Sequence, residues 1–235
     1  MPNLLALDTS GNSCSVALLY QPKGQGDQVI ARHELAQRSH TQRLLPMIAE
    51  VMQQADLQQS ELDAIVYGRG PGSFTGIRIA AGVAQGLSFA LDIPLIPIST
   101  LATMAFQAQQ EYPDCHYLCT LDARMKEVYA GTYRVAKQGQ DLLTIVGNEK
   151  VLSPALVLMP DQPFVVCGSG MQVDEFPTSI VAQAQACLPD MEPMAESMVV
   201  LGAAELAQNK GHQPEDALPV YLRDEVTWQK LPRYQ

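Results

Sequence analysis

The run Gly68-Arg69-Gly70-Pro71-Gly72-Ser73-Phe74-Thr75-Gly76-Ile77-Arg78 has the composition best suited to chemistry in this chain. Its glycines and proline let the backbone turn tightly and approach a second surface closely. A strand-to-helix turn of this kind aims backbone N–H groups and the helix dipole at an anion, and Ser73 or Thr75 can cap the helix that follows. No Gly-Lys-Ser/Thr follows as in a Walker A loop, and the glycine spacing is not the dinucleotide fingerprint. Phosphate binding and a purely structural turn therefore both stay open.

Other candidates are sparser. Asp122, Arg124 and Glu127 offer two carboxylates beside a guanidinium, a set able to do acid–base work that more commonly flanks a hairpin and pairs internally. The four histidines, His33, His40, His116 and His212, form no His-Glu-x-x-His zinc pattern. His40 stands just ahead of an amphipathic segment with no nucleophile spaced around it, which favours a capping or surface role. Gly168-Ser169-Gly170, after a strand-type run, is either a second nucleotide-contacting loop or a plain turn. The five cysteines, Cys14, Cys115, Cys119, Cys167 and Cys187, lack metal-type spacing and are odd in number. Reduced thiols in a cytoplasmic protein follow from that usage.

These residues are positioned by an alternation of strands and helices. Asn3 to Asp8 and Cys14 to Tyr20 read as a hairpin, and Val29 to Glu34 as a third strand. In Thr41 to Ala55, Leu44, Ile48, Val51, Met52 and Ala55 recur at helical spacing, with Leu45, Met47 and Ala49 pointing elsewhere. Ala64 to Tyr67, a helix over Ile77 to Leu91, and a strand over Leu95 to Ile98 complete a first half. Ser99 caps a helix running through Gln109. The second half begins again with strands at Tyr117 to Leu121, Val128 to Val135, Leu142 to Val146 and Phe164 to Cys167. Helices are expected near Ile180 to Cys187 and over Ala195 to Asn209. This order predicts an α/β protein of two related lobes, ending in an extended arm, Leu218 to Arg223, then Trp228 and a Lys/Arg/Pro tail.

Composition narrows the function classes. The 235 residues are 47% hydrophobic and 17% charged, with a net charge of −10. That charge, with Lys and Arg scattered, argues against a chain that grips nucleic acid by itself. The apolar surplus fits surface reserved for a partner. The apolar stretch Ile77 to Ile98 is interrupted by Arg78, Gln85, Asp92 and Pro94, so it reads as a buried helix and strand rather than a membrane span. The start, Met1-Pro2-Asn3-Leu4, shows no export signal.

Five segments match one family in its order: Leu5-Ala6-Leu7-Asp8-Thr9-Ser10, Ser39-His40-Thr41-Gln42-Arg43-Leu44-Leu45-Pro46, the loop Gly68 to Arg78, Asp122-Ala123-Arg124-Met125-Lys126-Glu127-Val128-Tyr129, and Pro219-Val220-Tyr221-Leu222-Arg223. Together they resemble the TsaB family, also called YeaZ, along the whole chain. The resemblance implies a two-lobed actin-like ATPase fold (ASKHA, ribonuclease H-like), with mixed sheets flanked by helices. Residues 1–102 would form the N-terminal lobe and 103–235 a smaller, degenerate lobe, with the helix at 195–209 able to pack back on the first. It also implies a role in making N6-threonylcarbamoyladenosine in tRNA. A threonylcarbamoyl adenylate is made first, and TsaB, TsaD and TsaE together transfer the group to the adenosine 3′ to the anticodon in tRNAs reading codons that begin with A.

Within that resemblance TsaD is the related catalytic subunit, expected to hold ATP and a metal, and TsaB is its non-catalytic partner. TsaD-type sequences place two histidines on one face of the helix after the strand at Leu95, a geometry that holds a metal. This chain has Thr100 and Met104 there, a neutral hydroxyl and a soft thioether, which do not replace imidazole. No catalytic residue, metal ligand or bound cofactor is therefore expected in this chain. The glycine-loop motif, Asp8 with Gly70, Pro71, Gly72, Ser73, Phe74, Thr75 and Gly76, is expected to be structural. The expected partner interface comprises Arg43, Leu44, Leu45, Met47, Ile48, Val51 and Met52 on one helix and Arg78, Ala81 and Gln85 on the next. It would dock TsaD, or a second copy of this chain in isolation, with Met47 and Met52 adapting to either. TsaE joins the complex, tRNA is met indirectly, and no membrane is involved. The competing reading is an enzyme of the same fold, a stand-alone ATPase or a glycoprotease-like peptidase.

Overall fold

The first strands read as unbroken apolar runs because both of their faces are covered. In the computed structural model, which describes residues 2–36, 39–136 and 142–223, β1 (Leu4–Asp8) and β2 (Ser13–Tyr20) are buried at every position. They form an antiparallel hairpin, extended by the half-exposed β3 (Gln28–Leu35). On the other side β4 (Ala64–Gly70) and β5 (Leu95–Ser99) add in parallel, so the sheet runs β3-β2-β1-β4-β5. Each parallel step needs a crossover. Helix α1 (His40–Ala55) precedes β4, α2 (Phe74–Leu91) joins β4 to β5, and α3 (Thr100–Glu111) follows β5.

The second half repeats this plan. Strands β6 (His116–Arg124), β7 (Glu127–Val135) and β8 (Leu143–Leu152) form the antiparallel part, and β9 (Phe164–Cys167) and β10 (Ala186–Leu188) the parallel part. The order β10-β9-β6-β7-β8 is the first sheet's order read from the other edge. Crossovers are reduced to single turns of 3-10 helix and the short α4 (Thr178–Gln183), while α5 (Ala195–Ala207) takes the place that α3 holds after the first sheet. This is the two-sheet α/β arrangement of the actin-like fold.

The closing helices of the two halves change places. Leu101, Met104, Ala105 and Ala108 of α3 pack into the core of the second sheet, against Tyr117, Cys119, Val165 and Cys167. Ala195, Met198, Val199 and Leu201 of α5 pack instead on Leu4, Ala6, Val66 and Ile96 of the first sheet. Both helices thus lie between the sheets, and α1 and α2 cover the outer face of the first. Gly202 of α5 lies so close to Val66 that a Cβ there would stand 2.4 Å from a valine methyl.

Several expectations are corrected. The helix expected over Ile180 to Cys187 stops at Gln183, and β10 begins at Ala186. A short apolar run has no period that separates helix from strand, and here Gln185 donates its N–H to the Phe164 carbonyl at 2.8 Å, starting a parallel edge on β9. Strand β8 continues to Leu152, beyond Val146. Ser73 caps α2, accepting from Gly76 N at 3.3 Å, and the helix opens at Phe74 rather than Ile77. Ser99 caps α3 as expected, accepting from Ala102 N at 3.2 Å. By length and composition, α2 is long and apolar enough to cross a membrane. Its buried stripe, Gly76, Ile77, Ala80, Ala81, Ala84 and Ser88, faces the sheet with Ile79, Val83, Leu87 and Leu91 half-buried beside it, and Phe74 and Phe89 are left exposed. Trp228 and the basic tail lie outside the described residues.

Candidate functional site

The glycine loop is pressed onto the β1–β2 turn. A Cβ at Gly68 would lie 1.9 Å from Asp8 Oδ2, one at Gly72 2.5 Å from the Ser10 carbonyl oxygen, and one at Gly76 1.9 Å from the Thr9 carbonyl oxygen. Only residues without side chains permit that approach. Ser73 N donates to the Ser10 carbonyl at 2.7 Å, and Thr9 Oγ1 to the Gly76 carbonyl at 2.7 Å. Gly70 adopts φ +99°, the left-handed region that favours glycine, and Pro71 is buried behind it. Thr75 is exposed beside the cap.

Asp8 ends buried in this contact. Its carboxylate accepts from Ser10 N at 2.9 Å and from Ser10 Oγ at 2.9 Å. Burial nevertheless raises its pKa from 3.8 to about 7, opposed by those hydrogen bonds and assisted by the charge of Glu192. Glu192, 180 residues along the chain from Asn12, accepts from Asn12 N at 3.0 Å and Asn12 Nδ2 at 3.3 Å. A Cβ at Gly11 would fall 2.0 Å from its Oε2. The N–H of this turn, which the fold would aim at a phosphate, is thus given to a carboxylate of the chain itself. Thr100 Oγ1 donates to Ser10 Oγ at 3.1 Å, and Met104 packs against Gly168, both fully buried. These residues do not fit a metal-bound nucleotide between the sheets: the carboxylate is buried against Ser10, and the turn is closed by the glycine loop and Glu192. Among the described residues no group of three or more His, Cys, Asp or Glu side chains is placed to hold a metal ion.

The outer helices look different. On α1, Leu44, Met47, Ile48, Val51 and Met52 are all buried in the core. Met47, expected to point away from the sheet, instead completes the i, i+3, i+4, i+7, i+8 stripe begun at Leu44. Neither methionine is free to adapt to a partner. Ala81 is buried with them. Arg43 reaches Glu34 through two hydrogen bonds, 2.8 and 2.7 Å. Gln85 Nε2 holds the carbonyls of Pro214 and Ala217 at 3.1 Å each, anchoring the C-terminal arm.

What remains outward is Leu45, 56% exposed, with Arg78, the glycine-loop residue Phe74, and three positions for which no role was expected, Gly82, Gly86 and Phe89, the last 80% exposed. Nothing lies within 4 Å of a Cβ built on Gly82 or Gly86. Two glycines four apart in an apolar helix, with a phenylalanine one turn on, are the signal that marks a face shaped for close contact. Arg78 lies over the Phe74 ring, 3.6 Å from its centroid, and its Nε donates to Tyr221 Oη at 2.9 Å.

The remaining candidates serve the structure. Asp122 and Arg124 pair at 3.2 Å, and Glu127 takes Arg223 from the C-terminal arm. Gly168 turns at φ +88°, and Ser169 Oγ accepts from Asp122 N at 3.2 Å. His40 Nε2 is buried and has no hydrogen-bond partner among the described residues. All five cysteines are free thiols, Cys187 half-buried and the others buried.

The family model described as TsaD, tRNA N6-adenosine threonylcarbamoyltransferase, matches residues 29–230. A Haemophilus influenzae protein named tRNA threonylcarbamoyladenosine biosynthesis protein TsaB is 40% identical over 97% of this chain and 97% of its own length. The Escherichia coli protein of the same name is 38% identical over 97% and 98%. The solved structure of YeaZ from Pseudomonas aeruginosa, 40% identical, superposes with a TM-score of 0.85 over 94% of this chain and all of its own. With end-to-end similarity to TsaB proteins and a pattern shared with their catalytic relative, the chain belongs to the TsaB (YeaZ) family.

Proposed function

We propose that this chain is the non-catalytic, activating subunit of the complex that makes threonylcarbamoyladenosine in tRNA. With TsaD and TsaE it supports transfer of the threonylcarbamoyl group from threonylcarbamoyl-AMP to N6 of the adenosine 3′ to the anticodon, in tRNAs reading codons that begin with A. The names of its relatives tie them to that biosynthesis. The observation that carries the reading is a contrast: the β1–β2 turn is closed by the glycine loop and by Glu192 of the chain itself, whereas the outer face of α1 and α2 carries exposed apolar side chains. In this reading residues 1–102 form a docking lobe in a cytoplasmic complex. The face formed by Leu45, Gly82, Gly86 and Phe89 meets the equivalent helices of TsaD, and a second copy when TsaD is absent. Relatives that share a fold reuse such a self-complementary patch in pseudo-symmetric pairs.

Replacing Leu45 with glutamate tests this. The side chain is exposed, so the fold is retained, while a charge is buried at the contact. Co-purification with TsaD and reconstituted threonylcarbamoyl transfer to tRNA should both be lost. Complex formation at unchanged affinity would refute the interface.

A further inference from the structure

The C-terminal arm ties the outer helix α2 to the second sheet through neighbouring residues. It runs along α2 from Gln85 back to the first turn. Gln85 holds the Pro214 and Ala217 carbonyls, Ala217 is buried in the core under α1 and α2, and Val220 N donates to the Arg69 carbonyl at 2.8 Å. Tyr221 then meets Phe74 with ring centroids 5.7 Å apart. Two residues on, Arg223 fastens to the β6–β7 hairpin: Nη2 donates to the Ala123 carbonyl at 3.1 Å and to Glu127, and Nη1 to Met125 Sδ at 3.1 Å. The turn it grips has a special shape. Arg124 pairs with Glu127, and Arg124, Met125 and Lys126 take left-handed φ of +63°, +55° and +60°, a conformation that L-residues keep where surrounding contacts hold it. Tyr221 and Arg223, two residues apart, have Cα atoms separated by at most about 7 Å. Tyr221 therefore cannot move far from α2 while Arg223 stays clamped.

What Tyr221 fixes is one end of the outward face of α2. Arg78 Nε donates to Tyr221 Oη at 2.9 Å, and the Arg78 guanidinium carbon stands 3.6 Å from the Phe74 ring centroid and 5.5 Å from that of Tyr221. Phe74, Arg78, Gly82 and Gly86 recur every four residues, so they form a single row along the helix, with Phe89 beside its far end. The glycines of that row present only helix backbone, which is rigid. The first members are long side chains at a helix terminus: Phe74 opens α2 and is 58% exposed, and a first turn has N–H groups without helical partners to steady it. Arginine and aromatic side chains that are free to rotate must be ordered when a partner binds, at a cost in affinity; side chains already held avoid that cost.

We infer that Arg223 is a latch: clamped on the β6–β7 hairpin, it keeps Tyr221 against Arg78 and Phe74 and so pre-forms the first-turn end of the α2 docking face for TsaD. The inference rests on the docking face proposed above. Tyr221 and Arg223 are then positioning residues. Tyr221 acts on Arg78 directly, and Arg223 acts through Tyr221, with no contact of its own to the partner.

The latch is read first in the full chain alone, by amide hydrogen exchange. Arg223→Ala should speed exchange of the Val220 amide by about tenfold or more, because the arm opens locally without its last anchor. Both latch side chains lie outside the cores, Tyr221 45% exposed and the Arg223 side chain 21%, so the fold is retained, which circular dichroism checks. The consequence is read as binding to purified TsaD by surface plasmon resonance. Arg223→Ala should raise the dissociation constant by roughly tenfold, the scale of ordering one or two side chains at an interface, and mainly through faster dissociation. Tyr221→Ala should also weaken binding, and the double variant should bind no more weakly than Tyr221→Ala alone, since one residue acts through the other. Unchanged exchange at Val220 overturns the latch, because the arm is then held by α2 and the glycine loop without Arg223. Faster exchange with unchanged TsaD affinity overturns its role in docking. Additive losses in the double variant overturn it too, because Arg223 would then act by a route other than Tyr221. Leu45→Glu, run in parallel, keeps the two readings apart: if TsaD still binds that variant while the latch variants lose affinity non-additively, the α1–α2 reading fails and the inference stands for the first turn of α2.

Discussion

Asp8 is held where burial works against its own ionisation. Its folded pKa is raised from 3.8 to about 7, with burial as the leading cause and Glu192 a lesser one. Between those values the folded chain keeps the proton and the unfolded chain releases it. The resulting stability is complete below the unfolded value and is lost as pH rises through the folded value, levelling above it. Asp8→Asn keeps a neutral acceptor for Ser10 and removes the titration. The wild-type chain should lose stability between about pH 5 and about pH 8, by an amount on the order of a few kcal/mol, whereas the asparagine variant should lose much less. Guanidinium denaturation at the two pH values measures this, and parallel losses in both chains would show that Asp8 is not the group responsible. The neighbouring glycines belong to the same argument, since the approach of Gly68 and Gly76 to Asp8 and Thr9 is what excludes water from the carboxylate.

At the scale of elements, two units depart from their simplest forms. Helix α1 spends its regular stripe, Leu44 to Met52, on the core, so the exposed apolar residues it has left are the off-stripe Leu45, Pro46 and Ala49. The β6–β7 hairpin uses Met125 and Lys126 where glycine or asparagine would be relaxed. Met125→Gly should relieve its left-handed strain and stabilise the chain by about 1 kcal/mol, read as a higher melting temperature. A destabilised variant would mean that the contact of Met125 with Arg223 outweighs the strain.

Across the whole molecule, the two sheets are joined by a carboxylate. Glu149 of β8 accepts from Ser99 at the end of β5 and from Tyr133 of β7, and pairs with Arg69 of β4 at 3.4 Å. Its side chain is almost fully buried, and burial of Tyr133, assisted by the Glu149 charge, drives the Tyr133 hydroxyl well above its usual range. Glu149→Ala leaves Ser99, Tyr133 and part of Arg69 without their acceptor. It should cost on the order of 2–3 kcal/mol, seen as an earlier denaturation midpoint, and faster amide exchange in α3 and β5 than in α1. A change below about 0.5 kcal/mol, the range of ordinary surface substitutions, would mean that α3 and α5 hold the sheets together without this clasp.

The residues by themselves determined the strand and helix order apart from β10, the Ser99 cap, the buried first hairpin and the family segments, because each rests on local periodicity, capping chemistry or contiguous motif. The structural part of the glycine-loop reading was also legible, although not what the loop presses against. Only the tertiary structure decided that Glu192 closes the Asn12 turn, that α3 packs into the core of the second sheet, and that Arg223 clamps a hairpin 100 residues away. It also decided which side of α1 holds Met47, since an apolar residue at a stripe position looks the same in sequence whether it faces a core or a partner. Long-range contacts of this kind arise from the packing of duplicated halves against each other, and no window of neighbouring residues records them.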